Sequence, residues 1–490
     1  MKLKELLLSL SFYNRNSLIE DVEITDIAID SRKVQQGSLF ICITGFTTDG
    51  HQYVKEAVDN GAVAIIAEQE ITSSVPVIYV KETQRALAML AAKFYHYPTH
   101  QLPLIGVTGT NGKTTITYLL ESIFNANNTK TGVIGTIQTK IGNQTYPVEN
   151  TTPNALILQR TFYEMIHADV EQVIMEVSSH ALDLGRVYGC EFDIAIFTNL
   201  SQDHLDYHKN LDDYLHAKSL LFAQLGNSYH NNTKKFAVIN EDDPVSRILK
   251  RSTAQQIITY GRQKQADVMA TDIILTAAGS KFQLLTPIGN ITVNSKLIGM
   301  FNVYNILAAT AAGIAANIPL STIKIAIEHI QGVDGRFESV SLGQLYGVIV
   351  DYAHTPDSLE NVLQTSKEIA KRKVYVVVGC GGDRDRSKRP LMAAIALKYA
   401  DYAIFTSDNP RTEDPNVILE DMINGLNDTE KFEVIVDRKK AINKAIQYAR
   451  KDDIVLIAGK GHETYQQIGH VKYDFDDRKI ARDAINAKEK

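Results

Sequence analysis

Gly109-Thr-Asn-Gly-Lys-Thr-Thr115 follows an apolar run, Leu104–Thr108, and opens a helix-like stretch from Lys113. Glycines let backbone amides turn toward phosphate oxygens, and a helix N-terminus adds partial positive charge. In such a loop Lys113 reaches the β and γ phosphates and the Thr114 hydroxyl coordinates Mg²⁺. The common pattern G-x-x-x-x-G-K-[ST] puts glycine where this chain has Val107, so the loop is a variant. Glu176 interrupts the apolar run Val173–Val177 and leads into Ser178-Ser-His180. A second run, Ile194–Thr198, leads into Asn199-Leu-Ser-Gln-Asp-His204. A carboxylate and an imidazole at strand ends beside a nucleotide suit Mg²⁺. Singly, each is more often structural. Lys218, within His216-Ala-Lys-Ser-Leu-Leu-Phe222, reads on pattern alone as a solvated helical lysine.

The elements that must position these residues fall into three segments. A chain of 490 residues with 44% hydrophobic and 22% charged residues has globular composition and room for two to four domains. Lysine plus arginine total 51 against 57 acidic residues, a formal charge of −6, which excludes wholesale nucleic-acid binding through a basic surface. Cys42, Cys190 and Cys380 lie far apart and give neither a disulfide framework nor zinc spacing, which fits a reducing compartment. The run from Leu6 to Phe12 reads as an amphipathic first helix, not a leader, because Glu5 interrupts the basic part and no cleavage site follows. No uninterrupted apolar stretch reaches the roughly 18 residues of a membrane span. A soluble cytoplasmic protein is expected, without membrane insertion.

The first segment, residues 1–100, holds strand-like pieces at Ser38–Ile43 and Ala62–Ala67 with a helical stretch around Tyr53–Asn60 between them. The second, residues 101–333, alternates strands and helices as a parallel sheet with crossover helices would, and its small-residue helix runs through Leu307–Ala316. The third, residues 334–490, has strand-like runs at Val348–Asp351, Val374–Val378, Tyr402–Thr406 and Ile454–Ala458. Ligands of open α/β sheets bind beyond the carboxyl ends of the strands, so Asp351, Gly379, Asp408 and Gly459 are expected along one edge.

The loop Gly109–Thr115, Met175-Glu-Val-Ser-Ser-His180, Thr198–His208 and Asp351-Tyr-Ala-His-Thr-Pro356 together resemble the Mur ligases. These are the ATP-dependent amide-forming enzymes of peptidoglycan precursor synthesis, on which cell shape and division depend. The resemblance runs from Asp30-Ser-Arg32 to Gly459-Lys-Gly-His-Glu463. It implies an all-α/β fold of three domains: an N-terminal α/β uridine-nucleotide domain, a central P-loop ATPase-type domain and a C-terminal Rossmann-like domain. It also implies ATP as substrate and Mg²⁺ as cofactor. Gly109, Thr110, Asn111, Gly112, Lys113, Thr114 and Thr115 would hold the nucleotide phosphates. Asn302 and Asn305 match the asparagines near the adenine, and Arg336 and Asp351 match further nucleotide contacts. Thr114, Glu176 and His204 would belong to the metal sites. Lys218 matches the family's carbamylated lysine (N6-carboxylysine), which reverses its surface reading: a neutral amine that captures CO₂ becomes a carboxylate ligand.

The carboxylate substrate implied is UDP-MurNAc-L-Ala-D-Glu, with Ser31, Thr152, Ser178 and Arg186 along it, Thr151 adjacent and Lys218 close by. Leu184 stands where many relatives carry glutamine. For the amine, Asp408-Asn-Pro-Arg411 resembles the motif of the meso-2,6-diaminopimelate-adding type. The guanidinium of Arg411 suits a carboxylate, with Arg384 near it. Gly459 and Glu463 would complete the pocket at the ammonium group, and Asp408, Asn409 and Pro410 would shape it. L-Lysine lacks the distal carboxylate and would leave Arg411 facing an ammonium. The rivals are a lysine-adding ligase, a folylpolyglutamate-type ligase and a P-loop nucleotide switch. All partners expected are small molecules, and the chain is expected to act as a monomer.

Overall fold

The computed structural model describes residues 1–15, 22–45, 48–148, 150–229, 235–276, 278–426 and 431–489. Three main sheets follow one another along the chain. The first orders its strands Asn14–Arg15, Val77–Tyr79, Ala62–Ala67, Ser38–Ile41 and Asp26–Ala28, parallel except at the Asn14–Arg15 edge. The helix Thr83–Phe94 buries Leu87, Leu90 and Ala91 against one of its faces. The first helix is only Leu3–Leu7. Phe12 is 92% exposed, so the amphipathic helix expected over Leu6–Phe12 ends early.

The central sheet has 11 strands. Its middle is parallel: Leu104–Thr108 lies between Gln172–Glu176 and Ile194–Phe197, with Thr131–Ile134 beyond the former and Phe236–Asn240 beyond the latter. These strands read as continuous apolar runs because helices cover both faces. One face packs Lys113–Ala126, Met300–Ala315 and Leu320–His329, and the other packs Ala155–His167 and Leu211–Ala223. Antiparallel ribbons extend both edges, through Thr139–Ile141 and Gln144–Tyr146 on one side and Val268–Thr276, Gly279–Thr286 and Gly289–Ser295 on the other. The parallel sheet with crossover helices expected from sequence forms the middle, and the antiparallel ribbons are additions at its edges. The ribbon strand Val268–Thr276 alternates covered and exposed residues, the pattern of a strand with one wet face.

The third sheet orders Glu338–Ser339, Gly347–Asp351, Ile454–Ala458, Val374–Val378, Tyr402–Phe405 and Phe432–Val434, parallel except at the first edge. Helices Pro356–Ile369 and Lys388–Tyr399 cover one face, and Arg438–Tyr448 and Asp477–Lys488 the other. This doubly wound order puts four strand ends along one crevice. Gly459 N–H donates to Asp351 O at 3.0 Å, and a Cβ on Gly459 would lie 2.7 Å from Asp408 Oδ2. Glycine is required there, since φ is +115° and the carboxylate occupies the space. Among the described residues no helix is long and apolar enough to cross a membrane.

Candidate active site

The loop after Leu104–Thr108 is tied down from two directions. Thr110 N–H donates to Asn199 O at 2.8 Å and Asn111 N–H to Asn199 Oδ1 at 2.9 Å. The Thr198 hydroxyl donates to Asn111 O at 2.6 Å. Lys113 turns its ammonium onto the carbonyls of Gly109 and Thr110, at 2.9 and 2.8 Å. Burial pushes its pKa down, opposed by the charges of Glu176 and Asp203. Asn305 donates to Asn302 at 3.1 Å and packs its oxygen against Gly112, so Asn305 adjoins the loop and Asn302 stands behind it.

Gly109 has φ +142°, and a Cβ there would meet Thr198 Oγ1 at 1.8 Å. Gly109→Ala must displace the hydroxyl that anchors Asn111. We expect the KM for ATP to rise about tenfold or more, and an unchanged KM would show that this anchor is dispensable.

Thr114 opens the helix and donates to Glu176 Oε2 at 3.1 Å. Glu176 is buried and also accepts from Thr136 N–H at 2.8 Å and the Thr136 hydroxyl at 3.0 Å. Thr136 in turn contacts Thr151 at 3.1 Å. Beside this node, Thr152 donates to Glu176 O at 2.9 Å and accepts from Ser178 N–H at 3.0 Å. Arg186 donates to Thr152 O at 3.1 Å. Thr151, Thr152, Ser178 and Arg186 are thus one cluster, with Leu184 at the end of the short helix Ser179–Asp183. Ser31 stands apart: its hydroxyl donates to Glu56 at 2.9 Å inside the N-terminal domain.

A second node gathers His180, His204, Tyr214 and Lys218. The His180 and His204 rings meet edge-on at 4.8 Å, and Lys218 Nζ lies 4.2 Å over the Tyr214 ring. Lys218 is only 1% exposed, the opposite of a solvated helical lysine. Burial, and then the neighbouring Lys113 cation, push its pKa well below the ordinary lysine range. His204 has φ +56°, and its Nε2 lies 3.3 Å from Asp203 Oδ2. Burial lowers the pKa of His204, favouring the neutral ring.

The C-terminal domain closes the site from above. Arg336 donates to the Thr114 hydroxyl at 3.0 Å, and its guanidinium lies 4.6 Å over the Tyr352 ring. Asp351 accepts from Phe337 N–H at 2.6 Å, and burial raises its pKa to about 6. Asp357 joins the domains by accepting from Asn111 at 2.7 Å and Ser201 at 3.1 Å. Burial opposes ionisation of Asp203, yet its interactions with His204, His354 and Lys388 hold it below the usual carboxylate range.

Burial lowers the pKa of His180 and His354 to about 4 and that of His462 to about 3. Among the described residues His462 Nδ1 also has no hydrogen-bond partner. A depressed folded-state pKa gives stability that is present above the unfolded value near 6.5 and lost as pH falls toward the folded value. The melting temperature should therefore drop by more than about 5 °C between about pH 7.5 and about pH 5. A flat profile would mean these rings are free to ionise in the fold. Asp351 contributes in the opposite sense, losing stability as pH rises through about 6.

At the crevice of the third sheet, Arg411 donates to Gly382 O at 2.6 Å with its backbone at φ +51°. Its N–H donates to Gln467 O at 3.1 Å, which ties it to the hairpin Tyr465–Asp474. Arg384 donates to Asp383 O at 3.0 Å, and the Thr412 hydroxyl to Asp383 Oδ1 at 2.7 Å. Asn409 donates to Glu463 at 2.8 Å. Against the cost of burial, Lys460 and Arg438 hold the Asp408 carboxyl low. Pro410 packs its carbonyl against Gly382.

The donor set suits a hard divalent cation. Thr114 and Glu176 offer oxygens, His204 a neutral ring nitrogen, and Lys218 an amine able to become a carboxylate. Among the described residues no three His, Cys, Asp or Glu side chains form a metal cage. Mg²⁺ is usually held by one or two carboxylates together with substrate phosphates, so this partial set fits it.

Asp203, His354, Lys388, Lys460 and Tyr465 also face these nodes, although the sequence reading gave them no role. Asp203 and His354 stand inside runs that attracted attention, Gln202-Asp-His204 and Asp351-Tyr-Ala-His354. Lys460 likewise stands inside Gly459-Lys-Gly-His-Glu463, whereas no pattern marks Lys388.

A glycine-rich strand–loop–helix on a parallel sheet, overhung by a doubly wound domain, is an arrangement suited to a nucleotide-dependent ligase. Residues 107–313 match the Mur ligase middle domain, residues 335–461 the Mur ligase glutamate ligase domain, and residues 23–95 the Mur ligase family catalytic domain. The chain belongs to the Mur ligase family and is an ATP-dependent ligase. It is 65% identical over 491 residues to the UDP-N-acetylmuramoyl-L-alanyl-D-glutamate--2,6-diaminopimelate ligase of Oceanobacillus iheyensis, covering 100% of both chains. It is 57% identical over 469 residues to the ligase of that name from Bacillus cereus, covering 96% of this chain and 95% of the relative. A solved structure of a ligase of that name superposes with a TM-score of 0.70 at 34% identity, covering 100% of both chains. Mycobacterium tuberculosis folylpolyglutamate synthase, complexed with ADP and AMPPCP, aligns over 76% of this chain and 92% of its own. Its TM-score of 0.64 at 17% identity is a likeness of fold alone.

Proposed function

We infer that the protein joins meso-2,6-diaminopimelate to the D-glutamate of UDP-MurNAc-L-Ala-D-Glu, converting ATP to ADP and phosphate, in peptidoglycan precursor synthesis. The observation that carries this reading is the 65% identity over the whole chain to a ligase named for those two substrates. The charged pocket around Asp408, Arg411 and Glu463 supports it from chemistry.

An amine does not displace hydroxide from a carboxylate at useful rates. ATP therefore phosphorylates the D-glutamate carboxylate first, the amine attacks the acyl phosphate, and a tetrahedral intermediate collapses to amide and phosphate. The γ-phosphate and the carboxylate repel by about 3 kcal/mol at about 5 Å and an effective dielectric of about 20. Lys113 and Arg336 offset that repulsion from either side of Thr114 and stabilise charge on the transferring group. Asn302, Asn305 and Asp351 hold the nucleoside end, and Gly109 through Thr115 hold its phosphates. Thr151, Thr152, Ser178 and Arg186 orient the dipeptide carboxylate, and Ser31 contacts the uridine end.

Thr114, Glu176, His204 and Lys218 are the residues that would hold Mg²⁺, which supplies Lewis-acid neutralisation of phosphate charge. Lys218 enters as its carbamate: the neutral amine bonds to the carbon of CO₂ and releases one proton. Its burial and depressed pKa support this, because only the unprotonated amine is nucleophilic. All these groups come from one chain, so a monomer suffices, and the need for ATP places the reaction in the cytoplasm.

The order of steps has an isotopic test. With both oxygens of the D-glutamate carboxylate labelled by ¹⁸O, one label should appear in the released phosphate. Unlabelled phosphate would rule out an acyl phosphate.

A further inference from the structure

Lys460 is a fully buried lysine that neither the phosphate chemistry nor the amino-acid contacts above employ. It lies in the turn after Ile454–Ala458, where its ammonium donates to Asn409 Oδ1 at 3.0 Å and Glu463 Oε2 at 2.9 Å. Asn409 donates its own amide to the same Glu463 oxygen at 2.8 Å. The three side chains close a triangle that ties the Asp408–Arg411 loop to the Gly459–Glu463 loop. Asn409 Oδ1 also accepts from Gln467 N–H at 2.9 Å, which brings in the hairpin carrying Tyr465.

This triangle sets the charge of the pocket. Lys460 Nζ lies 5.5 Å from the centre of the Tyr465 ring, whose hydroxyl also senses Glu463, Arg411, Asp408 and Arg384. Arg438 lies beneath and is neutralised by Asp477 at 2.7 Å, both fully buried. Three carboxylates, Asp408, Glu463 and Asp383, therefore face three cations, Lys460, Arg411 and Arg384, and the pocket is balanced in charge. Without Lys460 it would be net negative, with the Glu463 carboxylate held by Asn409 alone and open to an incoming ammonium.

Resting on the reading of this crevice as the amino-acid site, we propose that Lys460 determines which amine the enzyme accepts. It is a built-in ammonium that shares one oxygen of Glu463 with Asn409 and keeps the pocket from turning anionic. A substrate whose far end is an α-amino-acid zwitterion enters without net charge, its carboxylate toward Arg411 and its ammonium toward Asp408 and the remaining oxygen of Glu463. A substrate ending in a lone ammonium, such as L-lysine, brings a like charge and no carboxylate. Rejection by a like charge is a general route to specificity. Lys460 is thus a positioning and selectivity residue that acts through Glu463 and Asn409.

The test is a charge cycle on the full-length enzyme. The ratio of kcat/KM for diaminopimelate to that for L-lysine is measured for wild type, Lys460→Met, Glu463→Gln and the double variant. Where lysine turnover is below detection, its inhibition constant replaces kcat/KM. Lys460→Met should lower the ratio by about tenfold and Glu463→Gln should raise it by about tenfold, the size of one screened charge interaction. The double variant restores the pocket charge and should return to within about threefold of wild type. KM for ATP and for the UDP-linked dipeptide, with melting temperature, report folding. If Lys460→Met does not fold, Glu463→Gln alone decides, and an unchanged ratio overturns the proposal. Loss of activity in both single variants with an unaltered ratio would make Lys460 a structural strut only. No diaminopimelate-dependent turnover in the wild type would instead overturn the reading of the site on which the proposal stands.

Discussion

Lys218→Ala is expected to lower kcat by about 10³-fold or more, the scale on which loss of one preorganised charge in a phosphoryl-transfer site is felt. The amine is buried within the node of His180, His204 and Tyr214, and it feels Lys113 and Asp203. A protonated lysine there would repel Lys113, whereas a carbamate would attract both Lys113 and a metal. The variant should regain part of its activity in high concentrations of a short carboxylic acid, which can place a carboxylate where the carbamate stood. Activity close to wild type without rescue would remove the carbamate from the mechanism. In wild type, stripping CO₂ from the buffer should lower activity, and bicarbonate should restore it.

Arg411→Ala should raise the KM for diaminopimelate by about 10²-fold, because truncating one partner of a desolvated charge pair costs about 2–5 kcal/mol. The KM for ATP should stay within about twofold. The separation follows from the fold. Arg411 belongs to the loop after Tyr402–Phe405 and is held by Gly382 and the hairpin at Gln467, while the phosphate loop is gripped by Arg336 and Asp357. Equal effects on both substrates would move Arg411 out of the amino-acid pocket.

The strand, glycine-rich loop and helix around Gly109–Thr115 were legible because their determinants are local. An apolar strand, glycines with positive φ and a helix starting at Lys113 lie within a dozen residues, and the strand Leu104–Thr108 begins and ends where its composition indicates. The crevice of the third sheet was legible for a related reason: each apolar strand ends in a polar residue or glycine, and parallel order brings those ends together. The antiparallel ribbons of the central sheet were not, since short alternating runs give no sign of which edge they extend.

Lys218 shows where residue type misleads. The helix Leu211–Ala223 is covered on more than one side, so a lysine in a mixed helical pattern is buried by tertiary packing alone. Only the resemblance to the Mur ligases pointed to it. Lys460 lies within the run Gly459–Glu463 that carries the resemblance, but nothing in the run gave it a role. Between two glycines it reads as a turn lysine, and its partner Asn409 is 51 residues away, brought near by the strand order of the sheet. Asp203 likewise gains meaning only when the C-terminal domain sets His354 and Lys388 against it.

The central claim is best tested by phosphate release in the presence of ATP, Mg²⁺ and UDP-MurNAc-L-Ala-D-Glu, comparing meso-diaminopimelate with L-lysine and reading the product mass in parallel. The account predicts turnover with diaminopimelate, little or none with lysine, and a product heavier by one diaminopimelate residue. Turnover with lysine alone would keep the family and contradict the reading of Asp408 through Arg411. Phosphate release that needs neither the dipeptide nor an amine would contradict the ligase reaction itself.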